Sequence, residues 1–135
     1  MPHISIILVD DDEDDRDLFF QALMEVSLSI KYEGCVNGSD ALKKLSNQDA
    51  IIPDLIFMDL NMPGMNGFEC LKKIREIVPL KKTPIIIYST ATKLENKIDE
   101  IYQPVRFLSK PSKFDDIVLA LKVIISHHIL ESEDT

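Results

Sequence analysis

Short apolar runs alternate with longer amphipathic stretches from one end of the chain to the other, and this alternation constrains the fold more than any single residue does. Four runs cover Ile4–Val9, Leu55–Met58, residues 85–88 and residues 105–108, and all are rich in apolar side chains and bounded by Pro or Asp. They are too short for helices and suit strands covered on both faces. Residues 30–36 form a weaker fifth segment, in which Ile30, Tyr32, Gly34 and Val36 alternate with Lys31, Glu33 and Cys35. A strand with one apolar face belongs at a sheet edge.

Helical patterns fill the gaps. Leu18, Phe19, Ala22, Leu23 and Val26 recur at spacings that predict a helix over residues 13–27. Asn37-Gly38-Ser39 marks a turn and N-cap ahead of a helix carrying Ala41, Leu42 and Leu45. Phe68, Leu71, Ile74, Ile77 and Val78 predict a third helix, stopped by Pro79. Thr92-Lys93-Leu94-Glu95 fits a capping box opening a short fourth helix towards Ile101. Ser112 is the expected cap of a last helix striped by Ile117, Leu121, Ile124 and Ile125.

Strict alternation of strand and helix gives a parallel sheet with helices on both faces. The predicted class is α/β, a doubly wound five-stranded parallel sheet. Both common doubly wound strand orders place ligands beyond the carboxyl ends of the strands, where the order reverses. The residues that follow each strand therefore decide the chemistry.

Composition narrows the field further. With 135 residues, 45% hydrophobic and 28% charged, the chain reads as one domain over residues 1–130 with an acidic tail at 131–135. No apolar run approaches the ~20 residues of a membrane span, and the N-terminus lacks a secretory signal, so a cytoplasmic location and no membrane partner are expected. The 23 acidic and 15 basic residues give a charge of −8, which argues against nucleic-acid binding. Cys35 and Cys70 lack zinc-type spacing and read as reduced thiols. Only a few residues follow the last predicted helix, so a DNA-binding module is not expected in this chain.

The first strand runs straight into Asp10-Asp11-Asp12, and the third into Asp59. In the order 2-1-3-4-5 these strands are neighbours, and Asp10, Asp11 and Asp59 crowd into one volume. Two carboxylates roughly 4 Å apart repel by about 4 kcal/mol at an effective dielectric of about 20, so three call for a cation or a raised pKa. Oxygen ligands with room for water and phosphate oxygens suit Mg²⁺ or Mn²⁺ better than zinc. Ser89-Thr90-Ala91 follows the fourth strand and Ser109-Lys110-Pro111 the fifth. A carboxylate nucleophile, a metal, a hydroxyl and a lysine make up a kit for phosphoryl transfer onto Asp. In the loop from Leu60 to Gly67, Asn61 can turn its backbone carbonyl to the metal, while Gly64 and Gly67 supply the turn and the helix start. The remaining acids, Asp12 to Asp17, read as a solvated helix start with Asp12 as N-cap.

These residues resemble the receiver domain of two-component response regulators along essentially the whole chain. The signature pieces are Ile7-Leu8-Val9-Asp10-Asp11, Phe57-Met58-Asp59 with the following loop to Gly67, Ser89, and Lys110-Pro111. The resemblance implies a flavodoxin-like fold of order 2-1-3-4-5, of the stand-alone, chemotaxis-regulator type. It implies that Asp59 accepts a phosphoryl group from a histidine kinase or histidine phosphotransfer protein. It further implies Mg²⁺ on Asp11, Asp59 and the Asn61 carbonyl, with Asp10 helping through water. Ser89 and Lys110 correspond to the hydroxyl and lysine that sense the phosphate, and Phe107 to an aromatic switch. Their movement would remodel the surface of the fourth helix, fifth strand and fifth helix for an output protein, in a monomer or weak dimer. One departure stands out: Tyr102-Gln103-Pro104-Val105-Arg106-Phe107 lacks the glycine common before the fifth strand. Thr90 competes with Ser89 for the hydroxyl position, and Pro84 as strand start favours Ser89.

Two other readings compete. A Mg²⁺-dependent phosphatase or phosphotransferase with an aspartyl-phosphate intermediate would need a second Asp two residues after the first, where this chain has Asn61. Enzymatic turnover of an external substrate is therefore not expected. A constitutive binding module with a degenerate site is opposed by the full set Asp10, Asp11, Asp59, Ser89 and Lys110.

Overall fold

Residues 3–26, 29–47, 49, 52–90 and 100–133 are described in the computed structural model. Strands β1 (Ile4–Val9), β2 (Ile30–Cys35), β3 (Leu55–Met58), β4 (Ile85–Ser89) and β5 (Val105–Ser109) pair in parallel in the order β2-β1-β3-β4-β5. The fully apolar runs of β3 and β4 are buried along their whole length, as strands covered on both faces must be. β2, whose apolar residues alternate with charged ones, lies at one edge with every second side chain more exposed.

Helices α1 (Glu13–Glu25), α2 (Gly38–Leu45), α3 (Gly67–Glu76) and α4 (Phe114–Glu133) cover the sheet. The sequence Thr92-Lys93-Leu94-Glu95 and the helix expected after it up to residue 99 lie outside the described residues, and a 3-10 turn follows at Glu100–Tyr102. Three helices start on their own side-chain caps. Asp12 accepts from the Asp15 amide at 2.9 Å, Asn37 from Asp40 at 2.7 Å and Asn66 from Glu69 at 2.9 Å. α4 begins two residues beyond Ser112, with the Lys113 carbonyl accepting from Ile117, and it continues three residues into the acidic segment that the sequence read as a tail.

Two cores result, one on each face. α2 and α3 close over Ile7, Val9, Ile56, Met58, Ile85 and Ile87. α1 and α4 close over Ile6, Leu8, Phe57 and Tyr88, and Phe19 of α1 packs edge-on to Phe57 and Tyr88 at 5.0 and 5.5 Å. Cys35 and Cys70 are free and buried, and burial pushes their thiols up to about 12 and about 11. Rigid burial on both faces leaves the carboxyl ends of β1, β3 and β5 as a fixed edge on which polar residues can be placed.

Candidate functional site

The three acidic side chains are placed by strand register. Met58 sits opposite Val9, so the residues immediately after each of these strands meet at one edge. The pairing continues one step further, because the Asp59 amide donates to the Val9 carbonyl at 2.9 Å. Asp10, Asp11 and Asp59 each offer a carboxylate oxygen, and these oxygens lie within 4.8 Å of one another.

Lys110 arrives from the far side of the sheet. Its amide donates to the Ser89 carbonyl at 3.1 Å, extending the β4–β5 ladder and aiming the side chain back across the edge. The ammonium reaches Asp10 Oδ2 and Asp15 Oδ2 at 2.8 Å each and Asp59 Oδ2 at 2.9 Å. It also lies 5.6 Å from the centre of the Tyr88 ring. Burial works against the charged ammonium, but the hydrogen bonds to Asp10, Asp15 and Asp59 outweigh it and raise its pKa above the usual lysine value. Burial pushes the Asp10 carboxyl up, partly offset by Lys110 and by the Asp12 amide, which donates to Asp10 Oδ1 at 3.0 Å. Tyr88 is pushed up to about 12, chiefly by burial.

The loop after β3 is shaped around Asp59. The Asn61 amide donates to Asp59 Oδ1 at 3.1 Å, so the two carboxylate oxygens are oriented from opposite sides. Gly64 adopts φ of 81°, a left-handed conformation that glycine enters without cost. At Gly67 a Cβ would stand 2.7 Å from the Asp59 carbonyl oxygen and from Leu60 Cα, so only glycine lets α3 start this close to the Asp59 backbone.

The resulting cleft is open, about 570 Å³, and walled by Asp11, Asp12, Asp15, Asp59, Asn61, Thr90 and Lys110 together with Glu13 and Asp14. Among these residues six carboxylates face one ammonium, an arrangement that a hard divalent cation relieves. Three carboxylate oxygens within reach of one another, with no thiol or imidazole among the described residues of the cleft, fit Mg²⁺ or Mn²⁺ rather than a softer ion.

Two placements differ from the sequence reading. Ser89 ends β4 instead of following it and is buried, and Thr90 is the hydroxyl residue that walls the cleft. The strand is one residue longer because the Lys110 amide caps the Ser89 carbonyl, and period-two alternation then puts Ser89 on the face of Ile85 and Ile87. Ile87 pairs with Phe107, which packs on that same face, so Ser89 and Phe107 share it on neighbouring strands. Asp15 is the second difference. It is not a solvated helix acid but a partner of Lys110, which reaches it from 95 residues further along the chain, so no local pattern marks it. Arg16, also unmarked by the sequence, donates to the Asp10 carbonyl at 2.7 Å and pins the start of the acidic run.

Known proteins share this family profile and this fold. The profile of the response regulator receiver domain matches residues 6–122. The two-component response regulator ARR7 of Arabidopsis thaliana is 29% identical over 143 aligned residues, covering 96% of this chain and 66% of ARR7. The chain spans about two thirds of ARR7 and only 24% of another curated relative, the DNA-binding transcriptional regulator NtrC of Escherichia coli. Among solved structures, the phosphorylated cyanobacterial phytochrome response regulator RcpA superposes with a TM-score of 0.78 at 26% identity, covering 91% of each chain. The Mn²⁺-bound form of the response regulator Rcp1 gives 0.74 at 26% identity, covering 91% of this chain and 92% of Rcp1. Receiver domains are signalling modules that take a phosphoryl group on an aspartate within two-component systems and bind Mg²⁺ or Mn²⁺ in an acidic pocket. With that profile running from β1 into the last helix, and with its acidic edge in place, the chain belongs to the response regulator receiver domain family.

Proposed function

We propose that Asp59 is the phosphoacceptor of this chain, that it is charged by a histidine kinase or a histidine phosphotransfer protein, and that the phosphoryl group switches a surface for a protein partner. The observation that carries this reading is the position of Asp59, held between the Asn61 amide and the Lys110 ammonium and within 4.8 Å of oxygens of Asp10 and Asp11. Asp11, Asp59 and the Asn61 carbonyl would hold the divalent ion, with Asp10 acting through water. Bound there, the ion supplies positive charge to the oxygens of the moving phosphoryl group.

The chain's own residues do the rest. An Asp59 carboxylate oxygen attacks phosphorus, the bond from phosphorus to the donor histidine nitrogen breaks, and that nitrogen leaves with the electron pair. Lys110 lends an N–H to a phosphoryl oxygen, and its pKa, raised above that of an ordinary lysine, keeps it charged throughout the neutral range. Ser89 is then drawn towards the phosphoryl group, and Phe107, which shares a face with it, repacks. The surface of β5, α4 and the segment before β5 changes in consequence. Turnover stays confined to the chain's own aspartyl phosphate, since Asn61 offers no acid or base where a phosphatase would carry a second Asp.

Incubation with acetyl phosphate and Mg²⁺ followed by intact mass tests the assignment. One labile phosphoryl group is expected on the parent, with none on Asp59→Asn and none when EDTA removes the metal. Equal labelling of parent and Asp59→Asn contradicts it.

A further inference from the structure

An ammonium has three N–H donors, and in Lys110 each is taken by a different carboxylate: Asp10 Oδ2 at 2.8 Å, Asp15 Oδ2 at 2.8 Å and Asp59 Oδ2 at 2.9 Å. Asp10 and Asp59 belong to the strand ends that build the acceptor site. Asp15 comes from the first turn of α1 and stands at the mouth of the cleft, its side chain 36% exposed where that of Asp10 is fully covered. Its backbone is fixed independently of the lysine, because its amide donates to the Asp12 cap at 2.9 Å. Lys110, the one cation among the described residues of the cleft, is therefore divided among a buried anchor, the acceptor and a third carboxylate at the rim.

Resting on Asp59 as the acceptor, we propose that Asp15 is a positioning residue that competes with the incoming phosphoryl group for Lys110, and so restrains uptake from small anionic phosphoryl donors. With acetyl phosphate, an Asp59 oxygen bonds to phosphorus, the bond from phosphorus to the acyl oxygen breaks, and acetate leaves with the electron pair. The three phosphoryl oxygens keep their negative charge and need donors. Lys110 serves them only to the extent that its carboxylates release it, and Asp10 is buried against it. Asp15 thus withholds an N–H, and it also sets a like charge across the ammonium from the phosphoryl group. Two hydrogen bonds through one nitrogen put these charges about 5 Å apart, where repulsion even at the dielectric of water slows capture about fourfold.

Asp15→Asn removes the charge at nearly constant size and keeps the cap, whose donor is the backbone amide. With acetyl phosphate and Mg²⁺ it should label about fourfold faster than the parent and bind beryllofluoride correspondingly more tightly. Asp14→Asn removes the same charge from the same rim, at a residue that makes no bond to Lys110 among the described contacts, and should gain clearly less. A faster Asp15→Asn beside a near-parental Asp14→Asn supports the proposal. Equal gains in the two variants assign the effect to rim charge and overturn it, as does an Asp15→Asn rate at or below the parent's. Failure of the underlying reading looks different, because the parent itself then stays unlabelled, which overturns both.

Discussion

Lys110 holds the site together before any phosphoryl group arrives. Asp10 is fully buried, and burial already pushes its carboxyl pKa up, so the ammonium 2.8 Å away is what makes an ionised Asp10 tolerable. Removing one member of such a buried charge pair costs about 3 kcal/mol, because the other is left without compensation. Lys110→Ala is accordingly expected to unfold at lower denaturant, with about that loss of stability. It should still take up phosphate or beryllofluoride, since the proposed acceptor Asp59 and the proposed metal ligands remain, while leaving the Phe107 ring in its resting environment. Denaturation curves and NMR spectra of the Phe107 ring, with and without beryllofluoride, check the two halves separately. A Phe107 response like the parent's would remove Lys110 from the switch.

At the scale of elements, a second buried cation sits near the opposite end of the sheet. Arg75 of α3 donates to the carbonyls of Leu80 and Thr83 at 2.7 and 2.6 Å and to those of Tyr102 and Pro104 at 2.8 Å each. One guanidinium thereby ties α3 to the turn before β4 and to the segment before β5, the stretch that lacks the usual glycine. Burial lowers its pKa, and carbonyl dipoles rather than a carboxylate offset the cost. Arg75→Ala takes a donor from four carbonyls, two of them buried and two part-buried, and is expected to destabilise the fold by about 3 kcal/mol, read as a lower denaturation midpoint. A loss below about 1 kcal/mol would mean that water replaces the guanidinium easily. Which features were legible in the sequence follows from the same physics. Strands, the Asp12 and Asn37 caps and the meeting of the three aspartates could be read, since period, cap chemistry and strand ends are local, whereas the last helix opens at Phe114 beyond the Ser112 cap that the sequence suggested. Asp15, Arg75 and the burial of Ser89 could not be read, because each depends on where a distant backbone runs. Arg75 falls one turn after Leu71 on the buried stripe of α3, yet the carbonyls that justify its burial come from two other segments. Ser89 looks like a loop hydroxyl until the Lys110 amide extends the strand by one residue.

For the whole molecule, a sheet packed on both faces carries a charged edge, and the two cores are joined to that edge by different aromatic residues. Tyr88 lies under Lys110 on the α1 and α4 face, and Phe107 lies on the α3 face beside the row of Ser89. A change at the acidic edge therefore has a physical route into either face, and the route through Ser89 and Phe107 leads to β5. Everything rests on one divalent ion among Asp10, Asp11 and Asp59, next to Lys110, with Asp59 as the atom-donating partner of phosphorus. Crystals grown with Mn²⁺ and beryllofluoride test this most directly through the anomalous signal of the metal. A single peak is expected at ligand distance from Asp11, Asp59 and the Asn61 carbonyl, with beryllofluoride on Asp59 in hydrogen-bond contact with Lys110. A peak elsewhere, or beryllofluoride on a residue other than Asp59, would contradict it.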